Sequence, residues 1–137
     1  MRGGNVAFHR QASTGSEELS LAERLDGAAT AEERVWAGEF GTQYQKRNAG
    51  YNEKRRTFWR SLVKRVQPRR VLELGCGCGQ NLVALREEYP GMDLWGVDVS
   101  YEAIRQAGQR VQASLVHGSL FDLPFADKSF DLVFTCG

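Results

Sequence analysis

The stretch Val71–Gly79, V-L-E-L-G-C-G-C-G, decides how the rest of the chain is read. Val71, Leu72 and Leu74 make a short apolar run of the kind a buried strand uses, and Gly75, Gly77 and Gly79 follow at every second position. A strand therefore runs directly into a loop with little room for side chains. Glycine permits positive φ and lets backbone N–H groups come close to a ligand. The segment Gln80–Tyr89 then reads as a helix whose first turn faces the same point. The combination is a ligand cradle at the end of a strand.

Spacing narrows the ligand. A dinucleotide fingerprint, G-x-G-x-x-G, requires a third glycine where this chain has Gln80 (counting from Gly75) or Leu82 (counting from Gly77). No Gly-Lys-Ser/Thr follows, so a nucleoside-triphosphate loop is excluded as well. Instead, Glu73 opens the pattern E-x-G-x-G-x-G, and Asp98 lies in W-G-V-D-V-S, 19 residues beyond Gly79. These two linked motifs resemble those of the class I S-adenosylmethionine-dependent methyltransferases. The words W-A-G-E-F-G-T-Q-Y-Q-K-R-N, Trp36–Asn48, are similar to the N-terminal segment of the methylases associated with pseudaminic acid biosynthesis.

The resemblance implies an α/β, Rossmann-like fold with parallel strand order 3-2-1-4, preceded by a helical N-terminal extension and with the C-terminal strands missing. The chain is accordingly expected to be C-terminally truncated, with much of the acceptor pocket lost and Leu132, Val133 and Phe134 on an apolar edge strand. It is expected to divide into a mobile tail (1–29), a helical cap segment (30–68) and a cofactor-binding half-domain (69–137).

S-adenosylmethionine is the cofactor implied, and each site residue follows from the match. Gly75, Gly77 and Gly79, with Cys76 and Asn81 beside them, would hold the amino-acid end, with Glu73 orienting the loop or bonding the ammonium indirectly. Asp98 would accept from the ribose hydroxyls. Val99 would edge the adenine slot, and the loop from Gly118 to Phe125 would meet adenine. Many relatives carry G-D-A in that loop, whereas this chain has Ser119 and Leu120, so the Ser119 hydroxyl and the Leu120 backbone stand in for the acidic contact. Tyr44, Arg47 and Asn48 would reach the methionine end, and Thr135 would line the transfer site. No catalytic base and no metal ligand is named.

Composition bounds the rest. A chain of 137 residues, 42% hydrophobic, suffices for one domain with a real core. Eighteen basic and seventeen acidic residues leave +1, so no global field recruits nucleic acid or an anionic membrane. The basic cluster from Lys54 to Arg70 reads as the solvated face of a helix and the turn after it. Cys76, Cys78 and Cys136 are an odd set without metal-ligand spacing, consistent with thiols in a reducing cytoplasm. No apolar run approaches the roughly 18 residues a membrane span needs.

Thr30 and Glu33 have capping-box spacing ahead of Val35, Trp36, Phe40 and Tyr44, which repeat on one side of a helix. Trp36 and Phe40 fit a packing stripe as well as they fit a site. Asn52 is placed to cap a further helix that buries Phe58, Trp59, Leu62, Val63 and Val66 and stops at Pro68. Ser20–Leu25 forms at most a weak helical turn, and His9 carries no role. His117 reads as a satisfied strand-end histidine and Asp122 as a turn residue.

The expected activity is methyl transfer to a small-molecule or sugar-linked acceptor, in nonulosonic (pseudaminic) acid or surface polysaccharide synthesis. The alternatives are a non-catalytic S-adenosylmethionine-binding module and an NAD-dependent oxidoreductase.

Overall fold

The computed structural model describes residues 30–48 and 53–136. The expected tail with His9, the Ser20–Leu25 turn and the Asn52 cap lie outside the described residues. Four apolar runs become parallel strands: β1 (Arg70–Leu74), β2 (Asp93–Asp98), β3 (Ser114–His117) and β4 (Leu132–Thr135), ordered β3-β2-β1-β4. This is the expected α/β, Rossmann-like sheet order, and it sets the switch point beside β1, where open α/β sheets take ligands. The helices are α1 (Ala31–Ala37), α2 (Glu39–Asn48), α3 (Glu53–Val66), α4 (Gln80–Glu88) and α5 (Tyr101–Arg110).

Local chemistry sets the boundaries. Thr30 Oγ1 accepts from Glu33 N at 3.2 Å while Glu33 Oε2 accepts from Thr30 N at 2.8 Å, which completes the capping box of α1. Gly38, in extended conformation, separates α1 from α2. Pro68, which has no N–H to give, follows α3. Ser100 Oγ accepts from Ala103 N at 3.3 Å and caps α5.

Period-two alternation sends neighbouring strand residues to opposite faces of the sheet. Val71 and Leu94 face Trp59 and Val63 of α3 and Leu82 and Leu85 of α4, all buried. Each such side chain contributes about 1.5–3 kcal/mol relative to exposure. On the other face Leu72, Trp95 and Val97 are covered by Leu123, Phe125 and Phe130 from the segment joining β3 to β4. Trp95 meets Phe125 and Phe130 edge-on at 5.6 and 5.9 Å. The Arg70 guanidinium lies 4.9 Å over the Trp95 ring and 5.0 Å over that of Phe130.

Within the basic cluster, mostly exposed as expected, some charges are paired across helices. Arg60 pairs bidentately with Glu88 at 2.7 Å for both bonds, and Arg56 pairs with Glu87. Because α3 and α4 pack side by side, their polar edges meet; such exposed pairs fix orientation more than they stabilise.

The edge strand is also less apolar than its sequence suggested. Leu132 and Phe134 pack against the core, the Phe134 ring 4.4 Å from that of Trp59, and Val133 alone of the three is exposed. Asp131 Oδ2 accepts from the amides of Arg69 and Arg70, both at 2.8 Å, which joins the start of β4 to the start of β1.

Candidate cofactor site

The cradle forms where β1 ends. Gly75, Gly77 and Gly79 have φ of +68°, +53° and +78°. A side chain would be strained at each, and at Gly79 a Cβ would also come within 3.1 Å of Ala107 on α5. Among the described residues nothing lies within 4 Å of a Cβ position on Gly75. Gly75 N and Cys76 N both donate to Val97 O, at 2.8 and 3.0 Å, and anchor the turn to β2.

Asp98 does more than stand at a strand end. Its Oδ2 accepts from Gly77 N and its Oδ1 from Ser100 N, each at 2.8 Å, so one carboxylate holds the glycine loop and the entry to α5 together. Its carbonyl accepts from Gly118 N at 3.0 Å, which brings in the loop after β3. Burial raises the pKa of the carboxyl, opposed by those same amides. Each oxygen keeps lone-pair capacity for a second donor.

Below the cradle, Glu73 Oε1 accepts from Asn81 Nδ2 at 2.5 Å, and Asn81 Oδ1 accepts from Trp59 Nε1 at 3.2 Å. This chain ties β1, α4 and α3 together, and it leaves Glu73 Oε2 buried without a hydrogen-bond partner among the described residues. Burial pushes the Glu73 carboxyl up to about 8, against the opposing influence of Asn81 and then Arg55. The folded protein therefore binds this proton more tightly than the unfolded chain does.

It follows that the stability Glu73 supplies is complete below an unfolded value near 4.5 and declines as pH rises toward about 8. The slope approaches about 1.4 kcal/mol per pH unit in that window. Urea midpoints measured at pH 5, 6, 7 and 8 are expected to fall for the wild type and to flatten for Glu73→Gln, which keeps the acceptor for Asn81. An equal slope in both proteins would show that Glu73 is ionised throughout.

The carboxyl ends of β1, β2 and β3 bring Gly75, Gly77, Gly79, Asp98, Val99, Ser119 and Leu120 to one edge of the sheet, and Thr135, exposed, pairs with Leu74 at the same level. Cys76 and Asn81 stand differently. The Cys76 thiol belongs to the core, where burial raises its pKa, and only its main chain borders the loop. The Asn81 side chain is committed to Glu73 and Trp59. Ser119 Oγ accepts from Phe121 N at 3.0 Å, and Leu120 is partly exposed. His117 Nε2 lies 3.0 Å from Val99 O, the satisfied strand-end histidine expected. Asp122 is exposed.

Of the helical candidates, Tyr44 is half-buried and edge-on to Trp36 at 5.3 Å, and Arg47 is exposed. Asn48 ends α2. Trp36 also meets Phe40 edge-on at 5.2 Å, as a packing stripe does.

Three residues to which the sequence reading gave no place at the site come to this edge or its border. The Gln45 amide lies 3.1 Å from where a Cβ on Gly77 would be. Arg55 donates to Gln80 at the first turn of α4. Glu33, legible only as a helix cap, is buried and influenced by Ser119 and Leu120. A polar residue one turn from an aromatic stripe was the available signal for Gln45; for the other two the partners are too distant in sequence to leave one.

A parallel 3-2-1-4 sheet with a glycine cradle at the tip of β1 and an acidic residue at the tip of β2 is the cofactor-binding architecture of the class I methyltransferase fold. Residues 71–137 match the methyltransferase domain family. Over 83 residues the chain is 39% identical to the malonyl-[acyl-carrier protein] O-methyltransferase of Legionella pneumophila, a match covering 58% of this chain and 29% of that protein. Over 106 residues it is 33% identical to the demethylmenaquinone methyltransferase of Geobacillus kaustophilus, covering 69% and 45% respectively. The plantazolicin methyltransferase BpumL, solved in complex with SAH, superposes with a TM-score of 0.57 at 22% identity over 85% of this chain and 49% of that one.

The matches thus span less than half the length of these curated relatives, and over its sheet and glycine loop the chain is similar to the methyltransferase domain family. Among the described residues no group of His, Cys, Asp and Glu could hold a metal ion, and no helix is long and apolar enough to cross a membrane.

Proposed function

We propose that the protein binds S-adenosylmethionine at the Gly75–Gly79 loop and transfers its methyl group to a small-molecule acceptor. The observation that carries the reading is the Asp98 carboxylate at the end of β2, which braces both Gly77 of the glycine loop and Ser100 at the entry to α5. The residues present fit the group. Main-chain amides at positive-φ glycines suit the amino-acid end, a doubly anchored carboxylate suits ribose hydroxyls, and Val99, Ser119 and Leu120 at the same sheet edge would border the base.

When bound, the cofactor supplies an electrophilic methyl on a sulfonium. The protein's part is to hold donor and acceptor in line, and Thr135, which pairs with Leu74 at the end of β1, would line that approach. His117, engaged with Val99, is not offered as a base.

The acceptor class rests on two supports of different breadth. The relatives' names, malonyl-acyl-carrier protein and demethylmenaquinone, favour small or carrier-bound acceptors in general. Assignment to a nonulosonic acid precursor is supported by the Trp36–Asn48 segment alone, so the broader class is the one carried forward.

Isothermal titration with SAH and with NAD tests the cofactor reading. Saturable SAH binding without NAD binding is expected, and NAD binding in place of SAH would overturn it. Label transfer from methyl-tritiated S-adenosylmethionine to a panel of malonyl thioester, quinol and amino-sugar acceptors then separates an enzyme from a binding module.

A further inference from the structure

The three glycines of the loop meet three different surroundings. A Cβ on Gly79 would press on Ala107 and Val111 at 3.1 and 3.3 Å, so that glycine lets α5 pack close. At Gly75 a Cβ would meet nothing among the described residues within 4 Å. Gly77 differs from both. The atoms over its Cβ position are Nε2 and Oε1 of Gln45, each at 3.1 Å, with Cδ at 3.3 Å. They come from α2, outside the sheet and the helices that cross between its strands.

This approach covers the middle of the loop. Gly77 N is already given to Asp98 Oδ2, so what Gly77 still offers a ligand is its bare Cα, and the Gln45 carboxamide lies against it. Two groups at van der Waals contact with the same face of one atom exclude each other. Gln45 is half-buried, and its amide completes no hydrogen bond among the described residues, so contact alone keeps it there.

The helix that carries Gln45 is firmly placed. It packs on α5, and it is joined tightly to α1, where a Cβ on Gly41 would fall 1.9 Å from Trp36 O. The Trp36 ring also meets that of Tyr44, the neighbour of Gln45, at 5.3 Å. The amide is therefore aimed at the loop by packing behind it, while nothing bonds it to the loop itself.

We propose that Gln45 is a removable cover on the glycine loop: its carboxamide and the amino-acid end of the cofactor compete for the same face of Gly77. This rests on the cofactor reading above. Its consequence is that measured affinity is lower than the loop's own, by the fraction of molecules in which the cover is off.

Surface plasmon resonance of SAH on the immobilised full chain tests it, because it separates association from dissociation. Gln45→Ala removes the cover with a strong helix former and is expected to bind SAH about 5-fold more tightly, as a cover in place about four-fifths of the time requires. The gain is expected in the association rate, with dissociation unchanged within about 2-fold. Gln45→Met keeps a side chain of the same length without the amide, and its affinity is expected to stay within about 2-fold of wild type.

Weaker binding by Gln45→Ala through faster dissociation, the usual mark of a lost contact, would overturn the proposal and make Gln45 a ligand contact instead. Equal gains in Gln45→Ala and Gln45→Met would overturn it too, since bulk over Gly77 would then not matter. Failure of all three proteins to bind SAH would remove the cofactor reading, and the cover with it.

Discussion

Asp98→Ala is expected to weaken SAH binding by at least about 100-fold and to lower the stability of the apoprotein by about 2–4 kcal/mol. Both effects come from one side chain. Removing the carboxylate takes away the acceptor for Gly77 N and for Ser100 N, so two main-chain donors lose a charge-assisted partner and the cradle loses its brace. Under the proposed function it also removes the anion that would meet the ribose. Asp98→Asn separates the two contributions: its remaining oxygen still serves one amide, while its NH2 opposes the other.

The asparagine variant is therefore expected to recover much of the stability and little of the affinity. Titration with SAH, paired with urea unfolding of each apoprotein, provides the comparison. SAH affinity within about 3-fold of wild type in Asp98→Ala would remove the ribose contact and leave Asp98 as a purely structural brace.

Gly96→Val is expected to be the most destabilising single change in the sheet, at about 3 kcal/mol or more. Gly96 lies in the middle of β2 directly beneath the loop. A Cβ there would approach Cys76 Sγ to 2.8 Å, Leu82 Cδ1 to 2.9 Å and Cys76 Cβ to 3.0 Å. None of these atoms has free space to move into, because Cys76 and Leu82 are both buried. Relief through Cys76 would displace the cradle itself, so SAH affinity is expected to fall together with stability. Shortening the neighbour supplies the control: in a Cys76→Ala background the Gly96→Ala change is expected to cost measurably less than in the wild type, since sulfur is the first atom met. Chemical denaturation of the four proteins measures the coupling, and a cost for Gly96→Val below about 1 kcal/mol would show that the layer yields more easily than its contacts indicate.

The sequence carried the parts of this structure that are local. The strand-then-glycine pattern at Val71–Gly79, the capping box at Thr30 and Glu33, Ser100 before its helix and the stop at Pro68 all rest on neighbours within a few residues. Each was legible for that reason. The sheet order came through resemblance, because no spacing within the chain states which strands pair.

The remaining features depend on partners far apart in the chain. Glu33 against the loop at Ser119, Arg55 on Gln80 and Arg60 on Glu88 each bring together two helices or a helix and a loop whose packing the sequence does not announce. The same holds for Phe125 and Phe130: in sequence they are two aromatics in a polar loop, and in three dimensions they close one face of the sheet over Trp95. In sequence Asp98 is only a candidate ligand to a sugar, while its grip on Gly77 and Ser100 emerged with the geometry.

The fork of Asp131 over the amides of Arg69 and Arg70 has a consequence for how the sheet assembles. Those partners are 62 and 61 residues apart in the chain, so the fourth strand must close a long loop before it gains any pairing, and such contacts form late. A latecomer can dock out of step. A slip of one residue would turn Phe134 away from Trp59 and put Val133 in its place, with every later side chain reversed. The carboxylate, accepting two amides that only the correct alignment presents to it, serves as the starting mark from which the last strand is counted in.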